Sequence, residues 1–320
     1  MLHIDDTLLH VQQAKALHAK YITCYVKRKI YGRNAASICS DAKCPICQGR
    51  TQKVKASIFL ISLFDLIDIQ KLIEGSPAEI LKINNDFRKM YSAFLPQFTS
   101  EDKESLNSIF NYEWFESKKN ILYNAYDLCG NLKIETCVYC NRLYTSTIVV
   151  GKKEMIIRPT LDHWFPQAQY PLLALSFYNL IPSCSPCNSS VKHSNPFKLR
   201  TNIHPYVEKS VTNDYHLEST YDKSVSTFKI KVKSKSAKIL STMKAMKIAE
   251  IYEHHQSELA DLEMIRKKYG MSYLRSLGKL LGTKLSEKEV YRLMFGVEYD
   301  DQNFYKRPLS KLKKDILTRK

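Results

Sequence analysis

Two short cysteine pairs, Cys137-Val-Tyr-Cys140 and Cys184-Ser-Pro-Cys187, constrain this chain more than any other feature. Each Cys-x-x-Cys loop offers two thiolates about as far apart as a metal needs. Two such loops distant in sequence are the layout of a tetrahedral four-cysteine Zn²⁺ site. Asp162 and His163 lie between the pairs, and Asn188 follows the last cysteine directly. Within 137–193, residue type and spacing together define a chemistry.

The run MIIRPTL is extended in character and interrupted by Pro159, so Asp162 and His163 are expected where a strand gives way to a loop. Neighbours on a strand face opposite sides, and the two can serve one site only if the chain bends there. A first helical turn tolerates Pro186, so a short helix is predicted to begin at the second pair and to carry Asn188 toward the strand end. A carboxylate with an amide oxygen is a sparse, hard ligand set suited to Mg²⁺ or Mn²⁺ that keeps waters and accepts phosphate oxygens. Such an ion polarises a phosphoryl group, while a neutral imidazole takes the proton of an attacking water.

The segments LDHWFP, SFYNLIPSC and SPCNSSVKHSN resemble the HNH nucleases, the zinc-supported four-cysteine branch of the ββα-metal superfamily. The resemblance covers about a fifth of the chain at the level of motifs. It implies His163 as general base, Asp162 and Asn188 as ligands of a catalytic Mg²⁺ or Mn²⁺, and Asn179 as the residue that holds the loop carrying the base. Cys137, Cys140, Cys184 and Cys187 would hold structural Zn²⁺ outside the reaction, and hydrolysis would leave a 5′-phosphate and a 3′-hydroxyl. One departure stands out. Many family members place a lysine three residues after the last Asn, whereas Ser189, Ser190 and Val191 precede Lys192 here. One extra residue turns a helical side chain by about 100°, so His193 and Lys198 are candidates beside Lys192 for contacting nucleic acid.

Other readings of the same residues exist. An Asp-His pair also arises as a capping carboxylate beside a structural histidine, and a buried Asn braces turns without catalysis. The whole unit also matches a zinc module that binds nucleic acid without cutting it. Among cutting enzymes, DNA is the first substrate to consider, and tRNA or other RNA the second, because the chemistry does not need the 2′-hydroxyl.

A second cysteine group, Cys39, Cys44 and Cys47, includes the knuckle-like Cys44-Pro-Ile-Cys47. Three ligands need a fourth, and Cys24, His18 or a distant residue could supply it; the alternative is a turn with buried thiols. Nine cysteines, an odd number mostly in Cys-x-x-Cys pairs, argue against a disulfide framework and for a reducing, cytoplasmic setting. The opening MLHIDDTLLHV carries acidic residues where a signal peptide carries lysines. The longest apolar run, Ile58 to Ile69, is too short and too polar to span a bilayer, so no membrane partner is expected.

The formal net charge of +17 is unevenly spread: 51–130 is slightly acidic, and the excess lies in the flanking segments, above all from 131 onward. A basic face beside a phosphodiesterase motif points to a polyanionic partner. The fold class expected is α+β: a mostly helical scaffold carrying a ββα-metal unit. The segments are a helical part over 1–131, the nuclease unit over 132–206, and short strands followed by basic helices over 207–320.

Within 54–128 three helices are predicted, one capped by Ser76-Pro77-Ala78-Glu79, and a long helix is predicted from Lys238 to Tyr269. The run Lys27, Arg28, Lys29 reads as a solvated face or a phosphate contact. The basic tail KRPLSKLKKDILTRK, with Leu309, Leu312 and Ile316 in one stripe, is similar to the ends of larger bacterial HNH proteins of anti-phage defence. It would lie on nucleic acid or dock to a partner. No nucleotide-triphosphate motif is present, so any ATP-dependent sensing falls to a partner ATPase or sensor subunit.

Overall fold

The computed structural model of the chain describes residues 1–32, 44–49, 51–120, 122–151, 154–193, 195–268, 276 and 285–318. Among them, helices alternate with three two-stranded antiparallel ribbons, an α+β arrangement.

Helix α1 (Leu9–Tyr31) is the axis of the N-terminal scaffold. Val11, Ala14, His18, Ile22 and Tyr25 recur at helical spacing on its buried side, where it packs on later helices. Then come α2 (Pro45–Gln48), α3 (Ile58–Phe64), α4 (Ile69–Glu74), α5 (Pro77–Ser92), α6 (Ser100–Ile109), α7 (Tyr112–Glu116) and α8 (Ala125–Leu132). Helices here are shorter and more numerous than the three expected. The reason is capping: Asp68 accepts from the Lys71 amide, Asn111 from Trp114 and Asn124 from Tyr126, so each starts a new helix. The capping boxes at Ser76 and Ser286 form as their sequences predict.

Strands β1 (Ile148–Val150) and β2 (Glu154–Ile157) make a hairpin, with Gly151 at φ 59° in the turn region. Strands β3 (Thr160–His163) and β4 (Leu180–Ser183) pair with Thr160 opposite Ser183 and His163 opposite Leu180. Their connection holds the apolar insert, and Leu172 to Leu175 are buried against the helical scaffold. Ser176 donates to the Leu72 carbonyl at 2.6 Å. His18 closes the same seam: its Nε2–H donates to the Leu175 carbonyl at 2.8 Å, and its Nδ1 accepts from the Tyr123 hydroxyl at 3.3 Å.

Strands β5 (Tyr215–Asp222) and β6 (Thr227–Ser234) form the last ribbon, with Ile230 inward and Lys229, Lys231 and Lys233 outward. The long helix expected from Lys238 is instead α9 (Ala237–Ala245), α10 (Ile248–Glu253) and α11 (Gln256–Lys268), broken first at Lys247, whose φ of 52° no helix interior accepts. Tyr269 lies outside the described residues. Helix α12 (Glu287–Phe295) precedes α13 (Ser310–Leu317), the basic tail. That tail is not a free arm. Leu312 and Ile316 are buried, and Lys311 reaches Asp315 at 2.6 Å and the Tyr215 carbonyl at 2.9 Å.

The N-terminal strand of chain threads between the other parts: the Leu2 amide donates to Val138 and the Ile4 amide to Pro205. Segments 1–131, 132–206 and 207–320 therefore share one continuous core. No helix among the described residues is long and apolar enough to cross a membrane.

Burial has a consequence for pH. The rings of His18 and His204 are enclosed, which lowers their pKa from 6.5 to about 4 and about 3. Both are neutral when folded and take up protons when unfolded below 6.5, so their contribution is fully present above 6.5 and lost as pH falls toward 4 and below. The urea midpoint is expected to drop between pH 7 and pH 5, and His18→Phe to flatten that slope. An equal slope in wild type and variant would contradict the assignment.

Candidate functional site

The first cysteine pair sits in a tight loop. The Asn141 amide donates to the Cys137 carbonyl at 2.8 Å, and Asn141 adopts φ 48°, a conformation Asn tolerates better than most residues. Its side chain donates to Thr136 Oγ1 and the Phe304 carbonyl, and accepts from the Lys311 amide at 3.2 Å. The second pair closes β4 and opens a helical turn over Pro186–Lys192. The β3–β4 ribbon thus lies between both pairs, and all four sulfurs fall within 4.8 Å of one another, with Cys140 Sγ 4.0 Å from Cys184 Sγ. Tetrahedral zinc with bonds of about 2.3 Å spaces its sulfurs by about 3.8 Å. The cluster is buried, and its four thiols are close enough to share protons, with Cys140 shifted down by hydrogen bonding from Cys137 and Cys137 shifted up by burial. These four residues can hold a metal ion such as zinc.

A second cluster brings Cys24, Cys44 and Cys47 within the same 4.8 Å limit. Cys24, from α1, is the recruit among the candidate fourth ligands. His18 is not, because both its ring nitrogens are engaged elsewhere. Cys39 lies outside the described residues.

Asp162 and His163 are both within β3, and their side chains diverge. Asp162, 2% exposed, accepts from the Tyr139 hydroxyl at 2.5 Å and meets the Lys192 ammonium at 3.1 Å. Burial raises the pKa of Asp162 and lowers that of Lys192, while each partner's charge opposes the shift in the other. His163 instead donates from Nε2 to the Ala174 carbonyl at 3.0 Å and meets the Tyr112 ring edge to face. Its Nδ1 then carries the lone pair, and burial lowers its pKa to about 4, which keeps the ring neutral near pH 7. Asn179 braces the chain after His163: its Oδ1 accepts from the Phe165 amide at 2.7 Å, and its Nδ2 donates to the Leu173 carbonyl at 2.8 Å.

Asn188 is half-buried at the head of the helical turn. That turn is wound wide, with the His193 amide bonded to the carbonyl of Asn188, five residues back. The widening absorbs the extra residue before Lys192, so this lysine points inward rather than being swung away. It is 1% exposed and donates to the His163 carbonyl at 2.8 Å, with the Phe197 ring beneath it. Lys192 is therefore not on a nucleic-acid face as expected, whereas His193 and Lys198 are exposed beside it. No spacing or motif singles out Tyr139, whose contact with Asp162 depends on the cysteine loop presenting it.

A cleft of about 700 Å³ is lined by residues that include His10, Thr212, Asp301 and Lys314, and none of the motif residues lines it. Comparison with protein-family models, with curated proteins and with solved structures finds no match.

Both oxygens of Asp162 are met by the Lys192 ammonium, and one of them also accepts from Tyr139, so this buried carboxylate is already neutralised within the chain. A divalent ion there competes with Lys192, since two cations on one carboxylate repel. Lys192→Met is expected to cost about 3–5 kcal/mol by leaving Asp162 unpaired. Urea unfolding of that variant with and without Mn²⁺ should show partial recovery with the ion, and no comparable gain in wild type. Metal analysis of purified protein should find zinc. Cys184→Ser should release the four-cysteine ion and lower the melting temperature sharply, because structural zinc contributes about 10–16 kcal/mol of apparent binding energy.

Proposed function

We propose that the chain is a metal-dependent endonuclease of the HNH type, hydrolysing phosphodiester bonds in nucleic acid, DNA ahead of RNA. The observation that supports this most is the joining of strand end to helical turn. Two cysteine pairs gather around one ribbon, and the residues expected for chemistry sit on that ribbon or on the turn beside it, with Asp162 and Lys192 in contact.

Neutral His163, its tautomer set by the Ala174 carbonyl, takes the proton of the attacking water at Nδ1. Asn179 keeps the chain after that ring in place through Phe165 and Leu173. Asp162 and Asn188 are the residues that would hold Mg²⁺ or Mn²⁺, once Lys192 is displaced from Asp162, and the ion would polarise the phosphoryl group and stabilise the leaving oxygen. Exposed His193 and Lys198 are placed to meet phosphate. The four-cysteine cluster is read as a structural Zn²⁺ site. The basic charge fits a polyanionic substrate, and an effector role in anti-phage defence, with a sensor subunit supplying the trigger, is consistent with it.

Plasmid nicking in Mg²⁺ or Mn²⁺ is the expected activity, with His163→Ala at least 100-fold slower at unchanged zinc content, the lower end of general-base contributions of about 10²–10⁴. Single-stranded RNA and tRNA run beside the plasmid decide the substrate. Binding of nucleic acid without cleavage under all these conditions would leave only the zinc-module reading.

A further inference from the structure

We infer that Cys24, Cys44 and Cys47 form a second, independent zinc site, whose negative charge is neutralised by Arg28. The sulfurs lie within 4.8 Å of one another, and they come from two elements, the middle of α1 and the knuckle around α2. None of the three is in a disulfide. The knuckle has the tight form of a ligand loop, with the Gln48 amide on the Cys44 carbonyl at 3.0 Å and the Gly49 amide on Pro45 at 2.9 Å.

The second observation is Arg28, one turn along α1 from Cys24. It is 7% exposed, and Nη2 donates to the Cys47 carbonyl, while Nε and Nη1 are enclosed without a hydrogen-bond partner. Among the described residues no carboxylate pairs with it. Enclosing a guanidinium costs several kcal/mol unless a negative charge lies beside it. Three neutral thiols do not offset that cost. Three thiolates around Zn²⁺ already leave a net negative charge, before the fourth ligand that completes the tetrahedron, and that charge suits the guanidinium beside them. The basic run at Lys27–Lys29 thus holds one member turned inward to a metal centre, and this site does not depend on the nuclease reading.

The wild-type protein supplies the primary test. Elemental analysis should give two zinc ions per chain, and alkylation of the native protein followed by peptide mass mapping should find Cys24, Cys44 and Cys47 protected until a chelator is added. One zinc per chain, or free alkylation of these three with zinc retained, overturns the proposal. Cys47→Ser should lower the count to one while the four-cysteine ion stays. Arg28→Met should weaken the second ion about 10–100-fold in chelator competition, the usual effect of removing a group that supports a ligand. Unchanged affinity in that variant removes Arg28 from the site. Cobalt substitution gives a further readout, since tetrahedral thiolate ligation produces strong visible absorption that should fall by about half in Cys47→Ser.

Discussion

Four thiols drawn to one point are the constraint from which the rest of the centre follows. A loop held by Cys137 and Cys140 and a turn held by Cys184 and Cys187 cannot share one centre unless the β3–β4 ribbon runs between them in a fixed register. That register points Asp162 at Tyr139 and Lys192, and turns His163 toward Tyr112 and Ala174. The scaffold reinforces the arrangement from outside, because the Tyr252 hydroxyl donates to the Cys140 carbonyl and the apolar insert is pinned to α4 through Ser176. Such short ribbons could not hold themselves together in water.

Much of this was legible in the residues. The cysteine spacing anticipated the four-sulfur cluster, and the Ser76-Pro77-Ala78-Glu79 signal a helix start. What could not be read is what depends on partners far away in sequence. Arg28 looks like one of three solvated cations until Cys47 is found against it. Lys192 looks displaced until the turn is seen to be wound wide. The tail looks like a nucleic-acid arm until Leu312 and Ile316 are seen in the core. Helix lengths failed for a local reason: Asp68, Asn111 and Lys247 each break a pattern that hydrophobic spacing carries straight through.

The pair Asp162 and Lys192 shows how a buried charge can serve order before it serves chemistry. Enclosed ion pairs add little net stability, since desolvation offsets their attraction, yet an unpaired member is costly. The turn and the strand are thereby held in one relation.

Asn141 links this centre to a much later part of the chain. Its side chain and backbone are bonded to residues 304, 307, 309 and 311, separated by 163 to 170 positions. During synthesis those partners emerge from the ribosome long after both cysteine pairs, so the end of the loop at Asn141 gains these bonds only when nearly all the described residues have been made. A cysteine centre put together in that order takes its final form only once residues 304–311 have followed it out.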